Sequence, residues 1–312
     1  MSDSVMTRNV LINVGGGLGD HVTAEPAIRY LLEHKSDDTE VWVASHWPRV
    51  FAHLPVRSYM HNTLEPFGGG SFTMINTLPD RGTELWKAVC FFLCNMVDFH
   101  SFSLMQRQLP IADKEIRLAF SPEERASVLQ LRGEKTDRDI ALHAGKSWKT
   151  KTFPKEWWQT VAKGLSQKGA RVILFGKSGS HVVGDATGLV DIDCPPGGLD
   201  LRDKLEIGEM FALLSECPVL LTNDSSPVQV AGAFDNWIAM VATIKEPSLV
   251  FPIRHGSPTY KTKALHRALL ADEIFKRPLD LASVQVDIDV NDWSPYLPTP
   301  DSVVHETVSL LK

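Results

Sequence analysis

The chain has 312 residues, 43% of them hydrophobic and 22% charged, and a formal charge of -6 from 32 Lys plus Arg against 38 Asp plus Glu. That composition excludes a disordered or fibrous chain. The length accommodates roughly two domains, each burying its own core. The acidic balance excludes attraction of polyanions by the molecule as a whole, so any nucleic-acid contact would need a local patch.

Strand-like and helix-like segments alternate from one end to the other, the pattern of parallel sheets covered by helices, which predicts an α/β fold. Residues 1–9 carry no apolar core of a signal peptide, which predicts a cytoplasmic protein. Residues 10–14 read as a first strand, a glycine loop follows, and 27–34 read as a helix. Strands are expected at 41–45 and 72–77, and an apolar helix at 84–96. The most apolar run, 88–97, is about half the ~20 residues that a spanning helix needs. It is read as a buried helix, with contact at a membrane surface as the second reading. A helix at 122–131 and a polar stretch at 133–138 (GEKTDR), the candidate linker, close the first half.

The pattern then restarts with a strand at 140–143, a helix at 155–167 stopped by Gly169, and a strand at 171–175. A helix at 207–215, a strand at 219–222, a helix at 228–234 and a strand at 237–242 follow. The last helix, 302–311, comes after a proline-rich connector. Cys90, Cys94, Cys194 and Cys217 are too few and too scattered for a disulfide framework, which predicts a reducing compartment.

Three strand-to-helix turns carry the chemistry. Residues 14–20 (VGGGLGD) sit where open α/β sheets bind ligands. A dinucleotide fingerprint does not fit, because Asp20 occupies the third glycine position and His46, not an acid, follows the second strand. What remains is a glycine turn, Gly15, Gly16, Gly17 and Gly19, presenting one carboxylate. Asp20 can serve as a base toward an incoming hydroxyl or simply cap the next helix; spacing alone leaves both open. Residues 143–154 (HAGKSWKTKTFP) place Lys146, Lys149 and Lys151 ahead of a helix, an anion site or a solvated face. Residues 222–227 (TNDSSP) put Pro227 at a first helical position with Ser225 or Ser226 as cap, which suits a diphosphate or an ordinary capped helix.

Weaker signals are read blandly. The pairs Asp191/Asp193 and Asp287/Asp289 alternate as on a solvent-facing strand, so no metal site is expected. Cys90 and Cys94 are expected in the core. Asp98 and His100 are candidates for the acceptor side, against a reading of His100 as a satisfied structural histidine. Trp148, Trp157 and Trp158 could stack on a base or sugar, with at least one of the latter two in the core.

The three turns, in this order and separation, resemble glycosyltransferase family 9, the group that includes the lipopolysaccharide heptosyltransferases. The resemblance rests on Gly19-Asp20 with Pro26-Ala27 following, on His143, Gly145, Lys151, Phe153 and Pro154, on Asp224 to Pro227, and on residues 199–214 leading into that turn. It implies a GT-B architecture of two Rossmann-like, doubly wound domains facing a cleft: 1–135 on the acceptor side, 136–298 holding the nucleotide-sugar, and a C-terminal helix, 299–312, packing back on the first domain. It further implies metal-independent transfer with inversion, from a nucleotide-diphosphate sugar to a glycan hydroxyl such as that of a lipopolysaccharide core, with no cofactor besides the donor. Asp20 would be the base. Lys151 would contact the phosphates, and Asp224, Ser225, Ser226, Pro227 and Gln229, with His143 and Lys146, would bind the donor. The sequence departs from the family in having Gln229 where histidine is usual and Lys245-Glu246-Pro247 where a G-P-T-D-P pattern is usual. Two other functions share the same features. One is glycosylation of a hydroxymethylated base in DNA, toward which the cluster Lys146, Lys149, Lys151 and Lys155 points. The other is a non-catalytic nucleotide-sugar or glycan binding module.

Overall fold

A computed structural model of the chain describes residues 8–60, 72–78, 94–179, 188–269 and 290–311. Strands covered on both faces need near-continuous apolar runs, and the central strands of both halves have them. In the first half, β1 (Arg8–Val14), β2 (Thr39–Ser45), β3 (Arg57–Met60) and β4 (Phe72–Asn76) form a parallel sheet in the order β3-β2-β1-β4. In the second half, β5 (Asp139–His143), β7 (Arg171–Leu174), β9 (Leu199–Asp200), β10 (Val219–Asn223), β11 (Trp237–Val241) and β12 (Thr262–Leu265) form a parallel sheet in the order β12-β11-β10-β5-β7-β9. A short antiparallel pair, β6 (Gly145–Lys146) with β8 (Gly188–Leu189), lies beside it.

Both sheets reverse direction of winding next to their first strand. In the first sheet the reversal falls between β1 and β4, where Asn13 is registered with Asn76. In the second it falls between β5 and β10, where His143 is registered with Thr222. Ligands of open α/β sheets bind at such switch points, beyond the carboxyl ends of the strands. The topology therefore fixes where a site belongs in each half.

Helix α1 (Leu18–His34) begins inside the glycine loop, well before the expected 27–34, and carries Pro26 in its interior. A mid-helix proline removes one backbone bond and is costly, yet His21 to Tyr30 are buried without interruption. That packing outweighs the local penalty. Helix α2 (Met96–Met105) follows Asn95, whose side chain accepts from the Val97 N–H at 2.9 Å; most of the apolar helix expected at 84–96, with Cys90, lies outside the described residues.

Helix α3 (Pro122–Arg132) opens with a reciprocal cap between Ser121 and Glu124 and packs against α5 (Ile207–Glu216). The polar stretch expected as a linker is tied down. Thr136 donates to Asp139 from both N–H and hydroxyl, and Arg138 donates to the carbonyls of Lys168 and Gly169. Asp139 is fully buried between Arg132 and Arg171. Burial opposes its ionisation, but hydrogen bonds from Arg171, Thr136 and Arg132 hold its carboxyl below the usual range.

One core is continuous from the first sheet through α5 to one face of the second sheet, taking in Ile12, Val43, Ile173, Phe211 and Leu220. The other face of the second sheet packs on α4 (Lys155–Gln167), with Trp158 and Phe153 fully buried. The expected return of the C-terminal helix to the first domain is corrected by its packing. Beyond the short α7 (Pro247–Val250), helix α8 (Pro300–Val308) docks on α4, with Val303 and Val304 buried and Val304 filling the notch at Gly164. The Trp157 indole N–H donates to the Pro298 carbonyl at 3.0 Å, pinning the proline-rich connector. A glycine notch opposite a valine pair fits the helix there, which is why it stays with the second unit. Among the described residues, no helix is long and apolar enough to cross a membrane.

Candidate active site

The two switch points face one cleft of about 1130 Å³. The first half contributes the glycine loop, Asp20, Asn13, Asn76 and Trp47; the second contributes His143, the lysine loop and the turn at Asp224. The halves meet closely at its base: a Cβ on Gly19 would sit 3.5 Å from the Cα of Ser226, at the start of α6 (Ser226–Ala231).

The glycine loop turns at Gly16, where φ is +85°, a conformation favourable only without a side chain. Asp20 is the third residue of α1 and its Oδ2 accepts from the Gly17 N–H at 2.8 Å. The helix-cap reading and the cleft-facing reading of Asp20 are thus both met by one side chain. Its carboxylate lies over Gly16, where an added Cβ would come within 2.9 Å of the Asp20 Cβ. Further anchoring comes from Thr23, whose hydroxyl donates to the Gly19 and Asp20 carbonyls, and from His21 Nδ1, 2.8 Å from the Gly17 carbonyl.

His100 and Asp98 do not line the cleft. His100 is wholly buried against the backbone of Thr77 and Asp20, and burial pushes its pKa down to about 4. It is a neutral support beneath the loop, not a group reaching toward an acceptor. Asp98 is taken up by Lys114, at 2.5 Å. Both side chains point into the packing under α2 because that helix starts at Met96, with Met96 the residue that reaches the cleft.

On the opposite wall, Lys151 Nζ is 2.6 Å from Asp224 Oδ2 and lies 4.3 Å from the centre of the Trp148 ring. Burial works against ionisation of Asp224, but Lys151 and Lys245 outweigh it and hold the carboxyl below the usual range. His143, whose imidazole burial pushes down to about 4, packs on Phe175 and lies 3.3 Å from the hydroxyls of Thr222 and Ser225. Of Ser225 and Ser226, either of which was expected to cap α6, Ser225 stands at the N-cap position, but its hydroxyl meets Thr222 at 2.9 Å and His143 instead of a helix N–H. Helix α6 is short, six residues starting two positions ahead of the expected 228–234, so its dipole is small. The positive charge on this wall comes from the ammonium groups of Lys146, Lys151, Lys177 and Lys245, all of which line the cleft.

Asn223 holds the two turns of this wall together, donating to the carbonyls of Gly145 at 2.9 Å and Lys151 at 2.6 Å. A Cβ at Gly145 would lie 2.6 Å from the Asn223 side chain, so only glycine lets the lysine loop pass. Asn223 and Lys177 escaped the sequence reading, and Lys245 was noted there only as part of a departure from the family pattern. Asn223 stands in the motif TNDSSP, where a fully buried amide is not distinguishable in sequence from a surface cap. Gln229 lines the cleft and donates to the Val250 carbonyl at 2.5 Å. Trp148 lines the cleft, whereas Trp158 is core and Trp157 packs on Phe153. Asp191 lies near Arg202, and the Asp193 N–H donates to Gln159; Asp287 and Asp289 lie outside the described residues.

Residues 96–240 match the sequence profile of Glycosyltransferase family 9 (heptosyltransferase). Lipopolysaccharide heptosyltransferase 2 of Salmonella typhimurium is 24% identical over 106 residues, 34% of this chain and 30% of that relative's length. Among solved structures, the glycosyl transferase family 9 protein from Veillonella parvula aligns with a TM-score of 0.63 at 17% identity, covering 98% of this chain and 97% of that one. The E. coli ADP-heptose lps heptosyltransferase II aligns with a TM-score of 0.57 at 14% identity, covering 97% and 98%. Residues 96–240 thus carry a glycosyltransferase family 9 profile, and the chain has the GT-B fold of these solved relatives along nearly its whole length.

Proposed function

We propose that this protein transfers a sugar from a nucleotide-diphosphate donor to an acceptor hydroxyl, with inversion at the anomeric carbon and without a metal ion. The observation that carries the reading is Asp20, the one carboxylate among the described lining residues of the first half, across one cleft from a wall that carries four lysines, with both switch points at the cleft. The acceptor oxygen attacks the anomeric carbon while its proton passes to the Asp20 carboxylate. The bond from that carbon to the phosphate oxygen breaks, and its electron pair leaves with the nucleoside diphosphate. Lys151, freed from Asp224 as phosphate oxygens compete for it, and Lys146 and Lys245 beside it meet the growing negative charge, an electrostatic role that often dominates such catalysis.

The relatives support an ADP-sugar as donor and a lipopolysaccharide-type glycan as acceptor: one solved relative is named for ADP-heptose, and the Salmonella relative for lipopolysaccharide. The first unit, 1–135, would hold the acceptor and the second, 136–298, the donor. The test is Asp20→Asn with ADP-heptose. General-base help is worth about 10²- to 10⁴-fold, so transfer of labelled sugar should fall by that much while calorimetric binding of ADP-heptose persists. Turnover near that of the unaltered protein would remove Asp20 from the mechanism.

A further inference from the structure

Lys151 and Asp224 form an ion pair that donor binding has to open. The Lys151 side chain is 11% exposed and that of Asp224 14%, with Nζ 2.6 Å from Oδ2. When phosphate oxygens take Lys151, a nearly buried carboxylate loses its cation, and a buried charge left without compensation is strongly unfavourable. A third turn bears on that problem. Beyond β11, Lys245 lines the same cleft. Strands β10 and β11 run parallel with Asn223 registered on Val241, so the turns carrying Asp224 and Lys245 leave the sheet side by side. The Thr243 hydroxyl donates to the Thr150 carbonyl at 2.8 Å, and the Asn223 amide donates to the Lys151 carbonyl at 2.6 Å. These two bonds fasten all three turns together, each within two positions of Lys245, Asp224 and Lys151. The charge of Lys245 reaches Asp224 and, with that of Lys151, favours its ionised form.

We infer that Lys245 is a positioning residue, taking over as the counter-ion of Asp224 when Lys151 turns to the donor diphosphate. This rests on the transferase reading, in which the donor phosphates take Lys151. Without Lys245, opening the pair leaves either a bare carboxylate in a nearly buried place or a proton drawn from solvent. Buried carboxyls that lack a cation titrate as high as about 8–9, so the proton is the expected outcome near neutral pH. With Lys245 in place the exchange needs no proton, and its charge still supports the leaving diphosphate. A lysine that merely attracts the donor would weaken binding when removed, but would not couple binding to a proton at Asp224. The other groups around the pair are His143, which stays neutral above about 4, and the Cys94 thiol beside Lys245, which burial raises. Glu246 is exposed, Asp98 is taken by Lys114, and Asp20, across the cleft, accepts from the Gly17 N–H.

The test is calorimetric binding of ADP-heptose, without acceptor, in buffers of different ionisation enthalpy, which counts the protons taken up per donor bound. The sugar blocks the terminal phosphate, so the donor itself does not titrate near neutral pH. Lys245→Gln should bind about tenfold more weakly than the unaltered protein at pH 8 and take up close to one proton more per donor. In the free variant Asp224 is ionised on Lys151, and in the complex it is protonated. The complex therefore holds the extra proton, and affinity should rise as pH falls, by up to about tenfold per pH unit. Lys245→Arg should take up no extra proton, and Lys245→Gln with Asp224→Asn should lose the extra uptake. No extra uptake in Lys245→Gln, the same uptake in Lys245→Arg, or uptake that survives Asp224→Asn would overturn the inference and leave the transferase reading standing. Lys151→Ala separates the two: it should weaken ADP-heptose about tenfold or more. If it binds as tightly as the unaltered protein, or if the unaltered protein does not bind ADP-heptose, the donor reading falls and the counter-ion role with it.

Discussion

Lys151 is held by two partners, the carboxylate of Asp224 and the face of Trp148. Both members of the ion pair are nearly buried, and removing one partner of such a pair leaves a charge without compensation, typically at a cost of 3–5 kcal/mol. Lys245 also stabilises the Asp224 carboxylate, so Lys151→Ala should lose about 3 kcal/mol, the low end of that range, in urea unfolding. The double variant Lys151→Met with Asp224→Asn should recover most of that stability, because no charge is then left buried. It should not recover sugar transfer, because the anion partner is gone. Recovery of transfer in the double variant would show that the lysine serves the fold alone.

At the scale of elements, the glycine loop and the start of α1 behave as one piece. Gly16 has φ of +85°, and the Asp20 side chain occupies the space a Cβ would need. Gly16→Ala meets a left-handed penalty of roughly 1–2 kcal/mol and pushes the Asp20 carboxylate off the Gly17 N–H. We expect a stability loss of that size together with a fall in transfer of tenfold or more, while binding of ADP-heptose, proposed for the opposite wall, is kept. Loss of donor binding with transfer per bound donor unchanged would contradict this division. The loop itself was legible in the sequence as a strand-to-helix turn with a terminal carboxylate. The helix that follows was read nine residues too short, because Pro26 is a breaker in isolation and only the burial of His21 to Tyr30 overrides it.

For the whole molecule, two buried imidazoles make stability depend on pH. His100 and His143 are both pushed down to about 4 by burial. A histidine ordinarily titrates near 6.5, so between that value and about 4 the unfolded chain binds more protons than the folded one, and stability falls as pH falls. His100, fully buried, accounts for on the order of 3 kcal/mol across that window, and His143, which reaches the cleft, for less. Urea midpoints should therefore drop steadily from pH 6.5 to pH 4.5, and His100→Asn should flatten that slope even where it lowers stability at neutral pH. An unchanged slope in the variant would mean that His100 does not hold its proton balance in the fold.

Several features could be read without coordinates. Period and composition required parallel α/β units, the Gly19-Asp20, Lys151 and Asp224–Pro227 motifs announced three strand-to-helix turns, and their order carried the family resemblance. These are local properties: apolar runs, turn residues and short spacings act within a few residues of each other. What only the tertiary structure decided is which turns share a wall. His100 stood between an acceptor-side role and a structural one in the sequence, and the structure makes it a buried support under Asp20. Asn13 and Asn76 carried no signal, because they lie 63 positions apart and are joined only by the pairing of β1 with β4. Helix α8 went to α4 because Val304 fits the notch at Gly164. A contact between distant segments depends on sheet order and side-chain volume together, and neither is written at any single place in the chain.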